Sequence, residues 1–313
     1  MPKVFIIILN WNGWQDTMEC LESLNNISYD NFEVLLIDNA SKEKITILDS
    51  RFPRLKITQI FNDLNLGYAG GNNQGIKMAL ERGADYVLLL NNDTIVESDF
   101  LTQLIAAAEN NKEAGIFGSK IYFYDSRLAR LAEAPAKRAT SDKLIWSAGG
   151  KITKNFTRGE LIGYCQNDEG QHDQIKEADY ISGTCLLAKK EIVEKIGSIS
   201  EDYFLYYEDA DWCLRARWAG YRCLFVPKSI IYHKVSKSTG EFSFPYIYYH
   251  SRNGLIFGSR FGLKPAIYII SLWIFFKQLI KLIIGYKKDW ARPVMKGVLD
   301  FWRGKIGKLE GYY

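Results

Sequence analysis

Val4-Phe5-Ile6-Ile7-Ile8-Leu9, followed at once by Asn10-Trp11-Asn12-Gly13, is the stretch on which the fold turns. Six apolar residues with no polar alternation predict a strand buried on both faces, and the absence of a small-residue cleavage site argues against a signal peptide. Runs at 32–37 and 86–90 repeat the pattern and end in Asp38-Asn39-Ala40-Ser41 and Asn91-Asn92-Asp93. Between the runs, Trp14, Met18, Leu21 and Leu24 recur at helical spacing, as do Ile76, Ala79 and Leu80. Fully apolar strands alternating with helices predict an α/β fold with a mostly parallel sheet covered on both sides. Ligands of such sheets sit beyond the carboxyl ends of the strands. Three compact polar clusters at successive strand ends therefore mark a binding edge, with ordinary turns as the plainer alternative.

Each cluster has a chemistry. The strand-end carboxylate of Asp93, beside the amides of Asn91 and Asn92, suits a hard divalent cation held against a diphosphate; the alternative is a helix cap. In Tyr207-Glu208-Asp209-Ala210-Asp211, three carboxylates fall within four residues, so a cation, an arginine or a proton must relieve them. Either Arg215 and Arg217 make this a salt-bridged helix face, or one carboxylate is a general base. His233 ends the next strand pair, after a strand at 223–226 that Pro227 is expected to close. The glycines of 67–75 are expected to open a helix and allow close backbone approach to a ligand. They form neither a dinucleotide fingerprint nor a triphosphate-binding loop.

Ile-Leu-Asn10-Trp11-Asn12, Ile-Asp38-Asn39-Ala-Ser41, Asn65-Leu-Gly67-Tyr-Ala-Gly70-Gly71-Asn72, Leu-Asn91-Asn92-Asp93 and Tyr-Glu208-Asp209-Ala-Asp211-Trp-Cys-Leu-Arg215 occur in that order. Together they resemble the family 2 glycosyltransferases, especially the rhamnosyltransferase-like branch, over about residues 3–235 with an echo at 296–305. The resemblance implies a GT-A fold, a Rossmann-like mostly parallel sheet flanked by helices, and inversion at the anomeric carbon. It places Trp11 near the base and Asp38 and Asn39 on base and ribose. Asn10, Asn12, Asn65, Gly71, Asn72, Asn91 and Asn92 complete the donor-binding set. Asp93 and His233 become ligands of Mn2+ or Mg2+, Gly183 and Thr184 face the acceptor, and Asp209 is the catalytic base with Asp211 and Glu208 in reserve. Asn91 replaces the usual first aspartate of the metal motif, and Asn39 stands where many relatives carry Asp. The implied donor is dTDP-rhamnose, ahead of UDP-hexose or UDP-N-acetylhexosamine, and the implied acceptor is a lipid-linked or growing cell-surface glycan. A non-catalytic nucleotide-sugar scaffold is the rival, disfavoured by the presence of both Asp93 and Asp209. A nucleotidyltransferase would want a basic glycine-rich loop near the N-terminus, which Asn10-Trp11-Asn12-Gly13 does not offer.

Composition bounds the rest. The 313 residues, 47% hydrophobic and 24% charged, form a folded enzyme-sized chain without repeats. Five cysteines without a CxxC pair read as reduced thiols of a cytoplasmic protein. The net charge of +4 divides into +9 for residues 250–313 and −5 for the first 249. Residues 266–286 hold 16 apolar residues in 21, yet the longest charge-free stretch is 12, against the roughly 20 needed to cross a bilayer. With Lys277, Lys281 and Lys288 expected on one helical stripe, the segment reads as an amphipathic helix on an anionic membrane surface, a buried core helix being the alternative. The division expected is a catalytic domain over 1–240, with nucleotide and acceptor halves meeting near 120, and a basic membrane-associating helical region over 241–313. The expected place is the inner face of the cell membrane, without nucleic acid, and with a homo-oligomer left open. Residues 122–178, irregular and mixed in charge, read as a surface insertion or flexible loop region.

Overall fold

Residues 1–47, 49–125, 143–153, 158–235 and 243–311 are described by a computed structural model. The first three apolar runs become β1 (Val4–Asn10), β2 (Phe32–Asp38) and β4 (Tyr86–Asn91), with β3 (Ile57–Phe61) at the edge. They pair in parallel in the order β3-β2-β1-β4. Because successive strand residues face opposite ways, each run feeds two cores. Phe5, Ile7, Leu35, Ile37, Val87 and Leu89 face α2 (Gly67–Glu81). Val4, Ile6, Ile8, Val34, Leu36 and Leu88 face α1 (Trp14–Leu24) and α3 (Phe100–Asn110). The glycines of α2 let it lie close on the sheet: a Cβ at Gly75 would stand 2.6 Å from Ile7, and one at Gly71 would overlap Leu9.

Beyond β4 the sheet turns antiparallel through β12 (Cys185–Lys189) and β6 (Ala114–Phe123), then β7 (Leu144–Ser147) and β10 (Gln166–Asn167). The long β13 (Arg222–His233) runs parallel to β6 and carries β5 (Thr94–Val96) and β11 (Lys176–Glu177) on its flank. Pro227 does not close this strand. The register passes from Val226↔Ser119 to Ile230↔Lys120, so residues 227–229 bulge and the proline, lacking an N–H, sits outside the ladder. Within the bulge the Ser229 hydroxyl meets that of Ser119 at 2.7 Å.

Within the expected loop region at 122–178, the described residues form a hairpin of β8 (Gly150–Ile152) and β9 (Gly159–Leu161) besides β7, β10 and β11. Its acidic turn is pinned by buried Lys120, whose ammonium donates to Asp168 at 2.8 Å and Asp173 at 2.7 Å. Residues 126–142 and 154–157 lie outside the described residues.

Five helices follow: α4 (Lys190–Ile196), α5 (Glu208–Trp218), α6 (Phe244–Phe261), α7 (Lys264–Ile283) and α8 (Lys288–Trp302). The division expected at 240–241 lies outside the described residues, but Leu255, Ile256 and Phe257 of α6 join the same core as Phe5 and Ile7. Gly297 seats α8 on α6, where a Cβ would meet the Arg252 nitrogen at 3.0 Å and the Tyr248 oxygen at 3.1 Å. α7 lies outermost against α8, with the Trp302 indole donating to Ser271 at 2.8 Å. The expected lysine stripe is broken: Gly285 and Lys287 turn at φ 77° and 46°, and Lys288 starts a separate helix. On α7, Ile269, Trp273, Phe276 and Ile280 are 57–67% exposed.

Candidate active site

Parallel register sets Asn10 beside Asp38 and Leu9 beside Asn91, so the polar clusters share one edge of the sheet. Asn10 is fully buried and acts as a hub. Its amide nitrogen donates to Asp38 at 2.9 Å and Ser41 at 3.1 Å, while its oxygen accepts from Gly13 N–H at 3.1 Å and Thr17 at 3.0 Å. Asn12 turns at φ 56°, a conformation asparagine tolerates better than most residues, and accepts from Lys42 N–H at 2.9 Å. Asn39 donates to Asn65 at 3.0 Å and the Gly67 carbonyl at 3.1 Å, and its oxygen accepts from Asn62 and from Leu66 N–H. Asn72 donates to the Tyr68 carbonyl at 2.9 Å, and Asn92 to Thr17 at 3.0 Å. Carboxamides carry donors and acceptors together, and here they stitch the strand-end loops to one another. Most of the amides expected to touch a donor are thus engaged with one another or with the loop backbone. Trp11, Asn91 and Asn92 keep part of their surface open on this edge, and the Asn91 carboxamide makes no hydrogen bond among the described residues.

Asp93 is followed by a strand rather than by the helix it might have capped. β5 pairs with β13 so that Thr94 faces His233. This sets the Asp93 carboxylate 3.2 Å from His233 Nε2, with both side chains buried. Trp146 meets the imidazole edge-on at 4.6 Å, and His233 Nδ1 is buried without a hydrogen-bond partner among the described residues. The fit to a divalent cation is good: adjacent ligands of a small octahedral ion about 2.1 Å from the metal stand roughly 3 Å apart, the spacing seen here. No group of three metal-binding side chains occurs among the described residues. Asp93 and His233 would therefore leave most of the coordination sphere to phosphate and water, as magnesium-type sites commonly do.

Glu208, Asp209 and Asp211 open α5 after an unusual approach. Phe204, Tyr206 and Tyr207 have φ of 65°, 68° and 77°, left-handed values that cost about 1–3 kcal/mol each for residues with side chains. The three carboxylates then diverge. Asp211 is enclosed by Arg215 at 2.7 Å, Arg260 at 3.1 Å and the Tyr203 hydroxyl at 2.9 Å. Arg217 goes elsewhere, to Asp179 at 2.9 Å. Glu208 is buried with Oε2 unpartnered among the described residues, and burial, with Asp209 alongside, pushes its carboxyl well above the usual range. Asp209 stays partly open and accepts from Gly183 N–H at 2.9 Å and Ala210 N–H at 2.7 Å. Burial raises its pKa, and the two backbone donors oppose the shift.

The loop before β12 brings the two centres together. The Thr184 carbonyl accepts from Asn91 N–H at 3.0 Å while Gly183 N–H holds Asp209, so adjacent residues tie the Asn91–Asp93 turn to the carboxylate. Tyr68 closes the bridge by donating its hydroxyl to the Gly183 carbonyl at 2.6 Å. A Cβ at Gly183 would meet that hydroxyl at 2.6 Å, which explains the glycine. Sequence reasoning gave no role to Tyr68, Ser41, Thr17 or Arg260, although Tyr68 and Ser41 stand inside the strand-end and glycine-rich motifs.

The chain is similar in sequence and in fold to known proteins. The family model described as "Glycosyl transferase family 2" matches residues 5–197. The low-salt glycan biosynthesis hexosyltransferase Agl10 of Haloferax volcanii is 23% identical over 99% of this chain and 94% of its own length. The N-acetylglucosaminyl-diphospho-decaprenol L-rhamnosyltransferase of Mycobacterium tuberculosis is 26% identical over 76% of this chain and 78% of its own. Among solved structures, the mannosyltransferase PcManGT of Pyrobaculum calidifontis, in complex with GDP-Man and Mn2+, superposes with a TM-score of 0.55 at 14% identity, over 97% of this chain and 88% of its own. The fold is GT-A, and the chain belongs to glycosyltransferase family 2.

Proposed function

We propose that the protein is an inverting glycosyltransferase that moves L-rhamnose from dTDP-L-rhamnose to a hydroxyl of a lipid-linked or growing cell-surface glycan. The observation that carries this reading is the Gly183–Thr184 bridge between the Asn91–Asp93 turn and the open carboxylate of Asp209. Asp209 takes the proton of the acceptor hydroxyl. The oxygen then bonds to the anomeric carbon from the face opposite the nucleotide, the bond to the diphosphate oxygen breaks, and configuration inverts. Asp211, held by two guanidinium groups, and Glu208, fully enclosed and with its charged form disfavoured by burial, are poorer bases. Asp93 and His233 would hold Mn2+ or Mg2+, which when bound neutralises charge on the departing diphosphate. Trp11, Asp38 and Asn39 line the expected nucleotide end. The hexosyltransferase name of the full-length relative favours UDP-hexose as the second donor to try.

The acceptor side of the proposal includes a membrane. The exposed apolar face of α7, with Lys277 stacked 4.7 Å over Trp273, suits an anionic bilayer surface at the cytoplasmic face. α7 is also long and apolar enough to cross a membrane by length and composition, but its packing on α8 favours lying in the interface.

The test is thermal stabilisation by dTDP-rhamnose, UDP-glucose, UDP-N-acetylglucosamine and GDP-mannose, each with Mn2+ and with EDTA. A ligand at 100 times its dissociation constant adds about 2.7 kcal/mol. A metal-dependent response to dTDP-rhamnose with none to the others is expected. A response to UDP-glucose instead would replace the donor, and silence towards all four would leave a scaffold that binds no donor or a site completed only by the lipid acceptor.

A further inference from the structure

One buried side chain far from the sequence motifs governs the backbone that presents Asp209. Asn253, in the middle of α6, is fully buried. Its amide nitrogen faces three carbonyls of the approach to α5: Tyr203 at 2.9 Å, Leu205 at 2.7 Å and Tyr206 at 3.1 Å. Two amide hydrogens are thus shared among three acceptors, all in the segment where Phe204, Tyr206 and Tyr207 adopt positive φ. A segment broken by positive φ at Phe204, Tyr206 and Tyr207 does not form the repeating bonds of a helix or strand, so its inward carbonyls need an outside donor. Asn253 supplies it.

The amide is itself aimed. Arg252 Nε donates to the Asn253 oxygen at 3.0 Å, which directs the nitrogen to the loop, and Arg252 Nη2 adds a bond to the Tyr203 carbonyl at 3.2 Å. Arg252 in turn donates to the Tyr248 hydroxyl at 3.2 Å, and that hydroxyl donates to Asp300 of α8 at 2.9 Å. The remaining carbonyl, that of Phe204, accepts from Tyr68 N–H at 2.8 Å on the opposite side.

We propose that Asn253 is a positioning residue for the transfer reaction: it fixes the left-handed 203–207 turn so that α5 begins with the Asp209 carboxylate on Gly183 and open to the acceptor. The inference rests on the reading of Asp209 as the base. The alternative is that Asn253 only fills and satisfies the core.

The isosteric change Asn253→Asp keeps volume and replaces the donor by an acceptor facing three carbonyls. Asn253→Ser, with one donor left, serves if the aspartate variant does not fold. Amide hydrogen exchange of the full chain needs no substrate. Exchange over 203–209 is expected to quicken by about tenfold or more while β1, β2 and β4 stay protected. Binding of dTDP and UDP should stay within about twofold of wild type, since Asn253 bonds only the carbonyls of Tyr203, Leu205 and Tyr206, while the contact of the turn with the nucleotide side, Phe204 on Tyr68 N–H, is separate. With dTDP-L-rhamnose, or the donor found by thermal shift, kcat should fall on the order of 100-fold at nearly constant donor KM, the loss expected from a misplaced reacting group. The acid limb of the kcat profile should move to lower pH as Asp209 becomes better solvated.

Wild-type exchange at 203–209 overturns the inference. So does faster exchange spread evenly over the core, or a rate loss that only tracks the folded fraction at an unchanged pH profile. Asp209→Asn is run alongside: if it transfers at the wild-type rate, the reading of the base fails, whereas the exchange result still decides what Asn253 holds.

Discussion

At the scale of single residues, the three acidic side chains at the start of α5 show how one motif divides its labour by environment. Asp209→Asn removes the proposed base and, because Gly183 N–H and Ala210 N–H bond to different carboxylate oxygens, keeps one of the two bonds through its amide oxygen. Transfer should drop by roughly 10²–10⁴, the usual worth of a general base, while nucleotide binding measured by calorimetry stays the same. Because burial raises the Asp209 pKa, kcat should decline on the acid side at a pH above the ordinary carboxylate range of about 4. Glu208 makes a separate statement about stability. Its folded-state pKa lies above its unfolded value, so the native protein binds the extra proton and loses stability as pH rises from the unfolded to the folded value. Glu208→Gln should therefore raise Tm at pH 7–8 and change it little near pH 4, with Asp209, Asp211 and Tyr68 left as the neighbouring ionisable groups; an equal gain at both pH values would refute the buried-acid account. The clusters at the ends of β1, β2 and β4 were legible because a strand end is a position that spacing reveals. Which way each carboxamide points was not, since Asn10 and Asn39 are directed by loops at 41 and 65–67. Asn253 and Arg260 carried no local sign at all: their partners lie about 50 residues away in sequence.

At the scale of elements, the parallel half was readable because unbroken apolar runs admit few other structures, and its order follows from the register of β1 with both neighbours. The antiparallel half was less so. β13 continues past Pro227 because a bulge can hold a residue without an N–H, and proline alone does not announce whether a strand stops or swells. The C-terminal segment was legible as apolar and basic but not as three helices, since the reversal at 285–287 rests on φ values that spacing does not carry. That arrangement changes how membrane binding is to be tested. Deleting 264–313 would strip α8 from α6 and bare the contact at Gly297. Replacing Ile269, Trp273, Phe276 and Ile280 by serine leaves the packed side of α7 intact, and such side chains contribute about 1.5–3 kcal/mol each when buried in an apolar phase. The variant should stay in the supernatant when spun with phosphatidylglycerol vesicles, at unchanged Tm; co-sedimentation equal to wild type would remove α7 from the membrane reading.

At the scale of the whole molecule, the +9 segment and the −5 remainder give the chain an electrical polarity. Binding to anionic vesicles should weaken as salt rises from 50 to 500 mM, because the Debye length falls from about 14 to about 4 Å and the surface lysines are screened. Retention at high salt by the wild type alone, but not by the α7 serine variant, would separate the apolar share of the attachment from the electrostatic one. The cysteines, noted at first only for what their number excludes, provide a use of another kind. Cys20, Cys185, Cys213 and Cys223 are buried, whereas Cys165 is partly open. Burial pushes the Cys20 and Cys185 thiols up to about 12, so little thiolate exists in the native state to meet an alkylating reagent. Cys20 of α1 lies beneath the Asn91 carbonyl on the parallel side of the sheet, and Cys213 of α5 and Cys223 of β13 lie together. The chain thus carries a set of silent clocks: the order in which the thiols become alkylated under mild denaturant records which half of the enzyme opens first.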